Sequence, residues 1–250
     1  MACFINKAVK RFAMAGLDIK GISYRIPGDV NEYLFRDFSL TTGPGEHLGI
    51  MGPNGCGKTT LFNMIAGICK PCSGGISING STPSDSSVAY IFQDYRSSLF
   101  PWYTVKENIL LPLKIRKTGK KLMEKKLEYV DSLNACSLDF SKYPYQLSGG
   151  QQQFIVILRG LVMEPSVVLF DEPFSALDRK NTEWLINKIS GLMGSSLIPA
   201  LTVAHDEQHL TELCSRIVFV EGKPLRIVRD LPVKTADPLV YRISRLNYGA

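Results

Sequence analysis

Long apolar runs are missing from this 250-residue sequence. The unbroken stretches are only a few residues, such as Val167-Val168-Leu169-Phe170, far short of the roughly 18 that a membrane-spanning helix needs. A secretory leader is lacking too. Lys7, Lys10 and Arg11 stand near the start, but no continuous apolar segment accompanies them, so these residues read as a tail before the first strand. The six cysteines form no metal-binding pattern. Cys69-Lys70-Pro71-Cys72 is a single CxxC without a second pair or a nearby pair of histidines, which argues against zinc or redox work. It reads as a loop before the strand Ile76-Ser77-Ile78, and the thiols read as those of a reduced, cytosolic protein. Interleaved aromatic and basic residues are absent as well. The net charge is +6, yet Lys114, Arg116, Lys117, Lys120, Lys121, Lys125 and Lys126 share their stretch with Glu124 and Glu128. That is a solvated helical face, and no nucleic-acid partner is expected.

What is present begins with Gly52-Pro53-Asn54-Gly55-Cys56-Gly57-Lys58-Thr59-Thr60. A glycine, four residues and then Gly-Lys-Ser/Thr is the pattern of a phosphate-binding loop. The apolar run His47 to Met51 before it reads as a buried strand, and Leu61 to Ala66 after it as a helix. Glycines let the backbone approach a phosphate without a Cβ in the way. Successive N–H groups and the positive helix end then face the anion. In this pattern Lys58 reaches the terminal phosphates and the Thr59 hydroxyl holds Mg²⁺.

Val167-Val168-Leu169-Phe170-Asp171-Glu172 is an apolar run ending in two carboxylates. Such a run suits a central parallel strand covered on both faces, and its carboxyl end emerges where ligands bind in α/β sheets. Asp171 is expected to anchor Mg²⁺, and Glu172 to take a proton from an attacking water. Gln146-Leu147-Ser148-Gly149-Gly150-Gln151 precedes a helical run from Gln152 to Leu161. Ser148 can cap that helix, whose N-terminus also suits an anion. Two such termini but one phosphate loop suggest that two chains share each nucleotide.

With these motifs in order, the chain resembles the ATP-binding cassette ATPases from about Leu17 to Val228. Gln93, in Tyr90-Ile91-Phe92-Gln93-Asp94, matches the residue that senses Mg²⁺ and the attacking water. Ser175-Ala176-Leu177-Asp178 matches the loop that crosses the dimer interface, and His205 matches the switch histidine on the γ-phosphate. The resemblance implies an α/β fold: a P-loop NTPase core with a mixed, largely parallel sheet flanked by helices. An antiparallel β subdomain and an α-helical subdomain inserted at about 96–154 complete it, and 229–250 is a C-terminal extension. It implies ATP and Mg²⁺ as ligands, with Lys58, Gln93, Glu172 and His205 in the chemistry. Thr59, Gln93 and Asp171 would serve the metal. The phosphate loop from Gly52 to Thr60 would face Ser148, Gly149, Gly150 and Gln151 of a second copy. For adenine stacking, Ile26 takes the aligned position, with Tyr24 and Tyr33 as alternatives. Phe154 replaces a common Arg, and Leu225 a common glycine.

Phe92-Gln93-Asp94-Tyr95, Leu99-Phe100-Pro101-Trp102, Thr104-Val105 and Glu107-Asn108 resemble the ATPases of nitrate, sulfonate, taurine and bicarbonate importers. That implies a homodimer at the cytoplasmic face of the cell membrane, a separate permease and, indirectly, a substrate-binding protein. The permease is expected to seat near Leu99 to Tyr103. An exporter or lipid-transporter ATPase and a soluble ABC ATPase are the alternatives.

Overall fold

The computed structural model describes residues 16–26, 32–134, 138–194 and 196–233. The N-terminal tail and the extension past Val233 lie outside them. The strands β1 (Leu17–Arg25) and β2 (Tyr33–Thr42) pair antiparallel, and β3 (His47–Met51) leads through the glycine loop into helix α1 (Lys58–Ile65). β4 (Ser73–Ile78) returns to the other edge of β1, and β5 (Val88–Ile91) follows. Four helices then run together: α2 (Tyr95–Ser98), α3 (Val105–Ile115), α4 (Lys120–Asn134) and α5 (Gly149–Leu161). The chain continues through β6 (Val167–Asp171), α6 (Arg179–Gly194), β7 (Ala200–Val203), α7 (Glu207–Leu213), β8 (Arg216–Glu221) and β9 (Arg226–Pro232).

The strands form two sheets, a three-stranded one in the order β2-β1-β4 and a six-stranded one in the order β5-β6-β7-β3-β8-β9. All neighbours in the larger sheet are parallel except β9, which runs antiparallel to β8. The central strands are apolar throughout because alternate residues serve two cores. Val167, Leu169, Leu201 and Val203 face α1 and the antiparallel sheet. Val168, Phe170 and Ala200 face the core built with α5, α6 and α7.

The helical region is organised by caps. Thr104 and Glu107 form a capping box at the start of α3. The fully buried Asn108 amide donates to the carbonyls of Phe100, Tyr103 and Thr104 and accepts from the Phe100 N–H. The basic residues of α3 and α4 are mostly exposed, with Lys114 near Glu107 and Lys126 paired to Glu164. α5 runs past residue 154 to Leu161 and reaches the sheet, where a Cβ on Gly160 would stand 3.1 Å from that of Ala89. Phe154 is buried with its ring edge-on to Trp184 at 5.5 Å, so the position expected to bear Arg belongs to the core.

The extension expected to begin at residue 229 starts inside the sheet instead. Arg229 to Pro232 complete β9, and Asp230 accepts from Arg216 Nε and Nη2 at 2.6 Å each. An edge strand is held by its ladder and such pairs, so it needs no apolar alternation.

Candidate functional site

Strand register gathers the site. Ile50 on β3 and Asp171 on β6 both lie opposite Val203 on β7, and Phe170 lies opposite Ile91 on β5. The carboxyl ends of four adjacent strands therefore finish at one level. Gly52 follows the first, Glu172 the second, His205 the third and Gln93 the fourth, which is where open α/β sheets bind ligands.

The glycine loop packs tightly on its surroundings. A Cβ on Gly52 would stand 2.3 Å from the Val220 carbonyl oxygen, and one on Gly57 3.1 Å from Phe35. Gly57 also has φ 116°, a conformation open to glycine alone. Lys58 is buried, and its ammonium donates to the carbonyls of Gly52 at 2.7 Å and Pro53 at 2.8 Å. Cys56 is buried, while Pro53, Asn54 and Gly55 are exposed. Beside this loop opens a cleft of about 390 Å³ whose walls include Asn54, Lys58, Thr60, Asn63, Cys69 and Glu172.

Both Tyr24 and Ile26 reach this cleft, together with Leu34. Tyr33 is not among its lining residues; its hydroxyl accepts from Arg25 Nη2 at 2.6 Å and its ring lies under that guanidinium. The CxxC lies at the same end, with Cys69 half-buried and Cys72 exposed. Burial raises the Tyr24 hydroxyl pKa, and the two thiols add to the shift.

Asp171 is buried at the end of β6 and accepts from the Tyr90 hydroxyl at 3.0 Å, with the Thr59 hydroxyl close by. Burial pushes its carboxyl above the ordinary range, the Tyr90 bond, the Thr59 hydroxyl and Lys58 pull it down, and Glu172 adds to the rise. Glu172 sits at φ 49°, a left-handed conformation uncommon outside glycine. Its carboxylate is held at both oxygens, by His205 Nε2 at 2.7 Å and Gln93 Nε2 at 3.2 Å. Ser175 Oγ donates to the Glu172 carbonyl at 3.1 Å. Backbone strain of this kind concentrates at functional positions. Thr59, Asp171 and Gln93 carry hard oxygen atoms of the kind that suits Mg²⁺, and Lys58 lies near enough to Asp171 to lower its pKa.

Ser148, Gly149, Gly150 and Gln151 stand elsewhere and line no part of this cleft. Ser148 caps α5 in a capping box with Gln151. Its hydroxyl meets Asn181 Oδ1 at 2.9 Å, and Asn181 in turn donates to Asp178 through its backbone and side-chain nitrogens. Ser148 and the Ser175-to-Asp178 loop are thus tied together through Asn181, apart from the phosphate loop of the same chain.

A second, larger cleft of about 780 Å³ lies between α1, β5 and the helical region, lined among others by Phe92, Ile115, Arg116, Arg159 and Met163. Leu99 to Tyr103 are not among its walls, although Ser98 is. Leu99 is buried, and Phe100, Trp102 and Tyr103 pack on one another. Sequence reading missed the bond from Tyr90 to Asp171 and the contact of Tyr95 beneath Gly149. Neither has a local signal, since the partners are far apart in the chain.

The family model described as "ABC transporter" matches residues 35–175. The chain is 37% identical over 226 residues to an sn-glycerol-3-phosphate import ATP-binding protein of Bartonella bacilliformis, covering 86% of this chain and 64% of that relative. It thus spans just under two thirds of that protein. An aliphatic sulfonates import ATP-binding protein of Bacillus licheniformis is 34% identical, with 84% of this chain and 82% of the relative covered. An ATP-binding cassette solved as a dimer in a post-hydrolysis state, bound to ADP and Pi, superposes with a TM-score of 0.70 at 27% identity, covering 88% of this chain and all of that one.

Proposed function

The chain belongs to the ABC transporter ATPases, and on that premise we propose that it is the ATP-hydrolysing, nucleotide-binding subunit of an importer for a small anion. The observation that carries this reading is Glu172, pinned between His205 and Gln93 at the rim of the phosphate-loop cleft.

Tyr24 and Ile26 wall the adenine end of that cleft, and the loop from Gly52 to Thr60 takes the phosphates through its N–H groups. Lys58 exchanges the Gly52 and Pro53 carbonyls for the terminal phosphates, a like-for-like swap of buried charge-assisted bonds. Thr59, Asp171 and Gln93 would hold Mg²⁺, which neutralises charge on the transferred phosphoryl group. Glu172 orients the attacking water and accepts its proton, while His205 holds the carboxylate and then the γ-phosphate.

The signature residues Ser148 to Gln151 lie outside their own chain's cleft, which supports a head-to-tail pair in which each signature closes the partner's site. Nucleotide contacts made only in the closed pair shift the population towards closure. The 780 Å³ cleft, where Phe92, Ile115 and Met163 stand beside Arg116 and Arg159, supports a permease seat on the helical region, next to Leu99 to Tyr103. Among the described residues no helix is long and apolar enough to cross a membrane. A peripheral place beside such a permease, on the cytoplasmic face and fed by a substrate-binding protein, completes the reading. Both relatives named above are import proteins for anions, a phosphate ester and sulfonates; nitrate is an anion too, and taurine carries a sulfonate group.

The test is Glu172→Gln. Turnover is expected to fall by roughly 10²–10⁴-fold with ATP affinity kept within about twofold, and light scattering should show an ATP-held dimer. Equal turnover in both proteins would overturn the assignment. Uptake of labelled nitrate, taurine, an alkanesulfonate and a glycerol phosphate, in cells carrying either form, identifies the solute. Unchanged uptake across the panel would remove the anion.

A further inference from the structure

The hydroxyl of Tyr90 donates to Oδ2 of Asp171 at 3.0 Å, and its ring is held in place. Phe92 stacks on it at 4.0 Å with an interplanar angle of 24°, and Phe62 meets it edge-on at 5.9 Å. β5 pairs with β6 so that Tyr90 lies opposite Leu169. The side chain therefore reaches two residues along the neighbouring strand, to its end. Asp171 is buried there, with the Thr59 hydroxyl near enough to lower its pKa.

A buried carboxylate without a fixed partner can rotate about its terminal torsion, which is broad for Asp. A hydroxyl on a clamped ring, donating to Oδ2 from the neighbouring strand, removes that freedom. We propose that Tyr90 is a positioning residue for the divalent cation: it holds Oδ2 of Asp171 so that the carboxylate is already oriented when Mg²⁺–nucleotide arrives. Partners of metal-ligating groups that act this way matter nearly as much as the ligands themselves. Tyr90 is not among the residues lining the phosphate-loop cleft and acts only through Asp171. The proposal rests on the nucleotide-binding reading above.

The test uses the full chain with Mn²⁺ as the cation, free Mn²⁺ being counted by electron paramagnetic resonance in the presence of ADP. Tyr90→Phe keeps the ring and removes the hydroxyl. It is expected to weaken Mn²⁺ binding about tenfold while ADP affinity in EDTA stays within about twofold. Unchanged Mn²⁺ affinity would overturn the proposal. So would an equal loss of ADP affinity in EDTA, since that marks damage to packing. If Tyr90→Phe does not fold, Phe92→Leu decides, because it leaves the hydroxyl and removes the stacked ring. Weaker Mn²⁺ binding, by roughly threefold, is expected, and none overturns the proposal. A wild-type chain that binds no Mn²⁺ with ADP would sink the nucleotide-binding reading itself, whereas wild-type binding with an unaffected Tyr90→Phe sinks the role of Tyr90 alone.

Discussion

Gly149 has no room for a methyl group. A Cβ there would stand 2.8 Å from the Tyr95 hydroxyl and 3.2 Å from Leu177 Cδ2. That hydroxyl is buried and has no hydrogen-bond partner among the described residues. Gly149→Ala is expected to cost roughly 1–3 kcal/mol through overpacking. Tyr95→Phe removes an unpaired buried hydroxyl and should be neutral or stabilising. In the double variant the clash loses its nearest atom, so the two changes should couple favourably. Urea unfolding of the four proteins checks this, and strict additivity would show that the hydroxyl is not what Gly149 avoids. Tyr95 sits two residues after Gln93, so the same side chain ties the Gln93 segment to the start of α5.

At the scale of elements, the segment from Phe100 to Thr104 has no regular structure and is held by a side chain instead. Asn108 spends its whole amide on four backbone groups of that segment. Asn108→Ala leaves those groups short of partners and is expected to destabilise the protein by roughly 2–4 kcal/mol, read as a lower denaturation midpoint at unchanged slope. A cost under about 0.5 kcal/mol would mean that water replaces the amide. The Thr104–Glu107 capping box is local, within four residues, although in the sequence those residues stood out only through their resemblance to importer ATPases. The role of Asn108 was not legible, because an Asn inside a helix looks the same in sequence whether it faces water or a loop. β9 was missed for a related reason: its pattern is mostly exposed, and only pairing with β8 makes it a strand.

For the whole molecule, a buried histidine sets a pH response. His47 opens β3, with Nε2 2.7 Å from Thr202 Oγ1 and Nδ1 unpartnered among the described residues. Burial pushes its pKa down to about 4 from an ordinary 6.5. The unfolded chain therefore binds a proton that the folded one refuses, and stability is full above pH 6.5 and lost as pH falls towards 4. Between pH 7.5 and pH 5 the loss should be roughly 2 kcal/mol. The Asp171 carboxyl, raised by burial, works in the opposite direction at acid pH. The measurement is thus the difference in denaturant stability between wild type and His47→Gln at the two pH values, and parallel pH dependences would refute the role of His47.

Sequence alone determined the candidate residues. A phosphate loop, a capped helix start and an apolar strand ending in carboxylates each depend on backbone conformations set within a few neighbouring residues, so Lys58, Thr59, Asp171, Glu172 and Ser148 could be named from their own surroundings. Tertiary structure decided which of them meet. Tyr90 and Asp171 are 81 residues apart, and Glu172 and His205 are 33 apart. Those pairs exist only because parallel strands settle in one register, and a shift of a single residue would turn each side chain to the other face. The same packing keeps Ser148 to Gln151 out of their own chain's cleft, since α5 starts in the helical region beside Asn181 and Asp178, away from the ends of the strands.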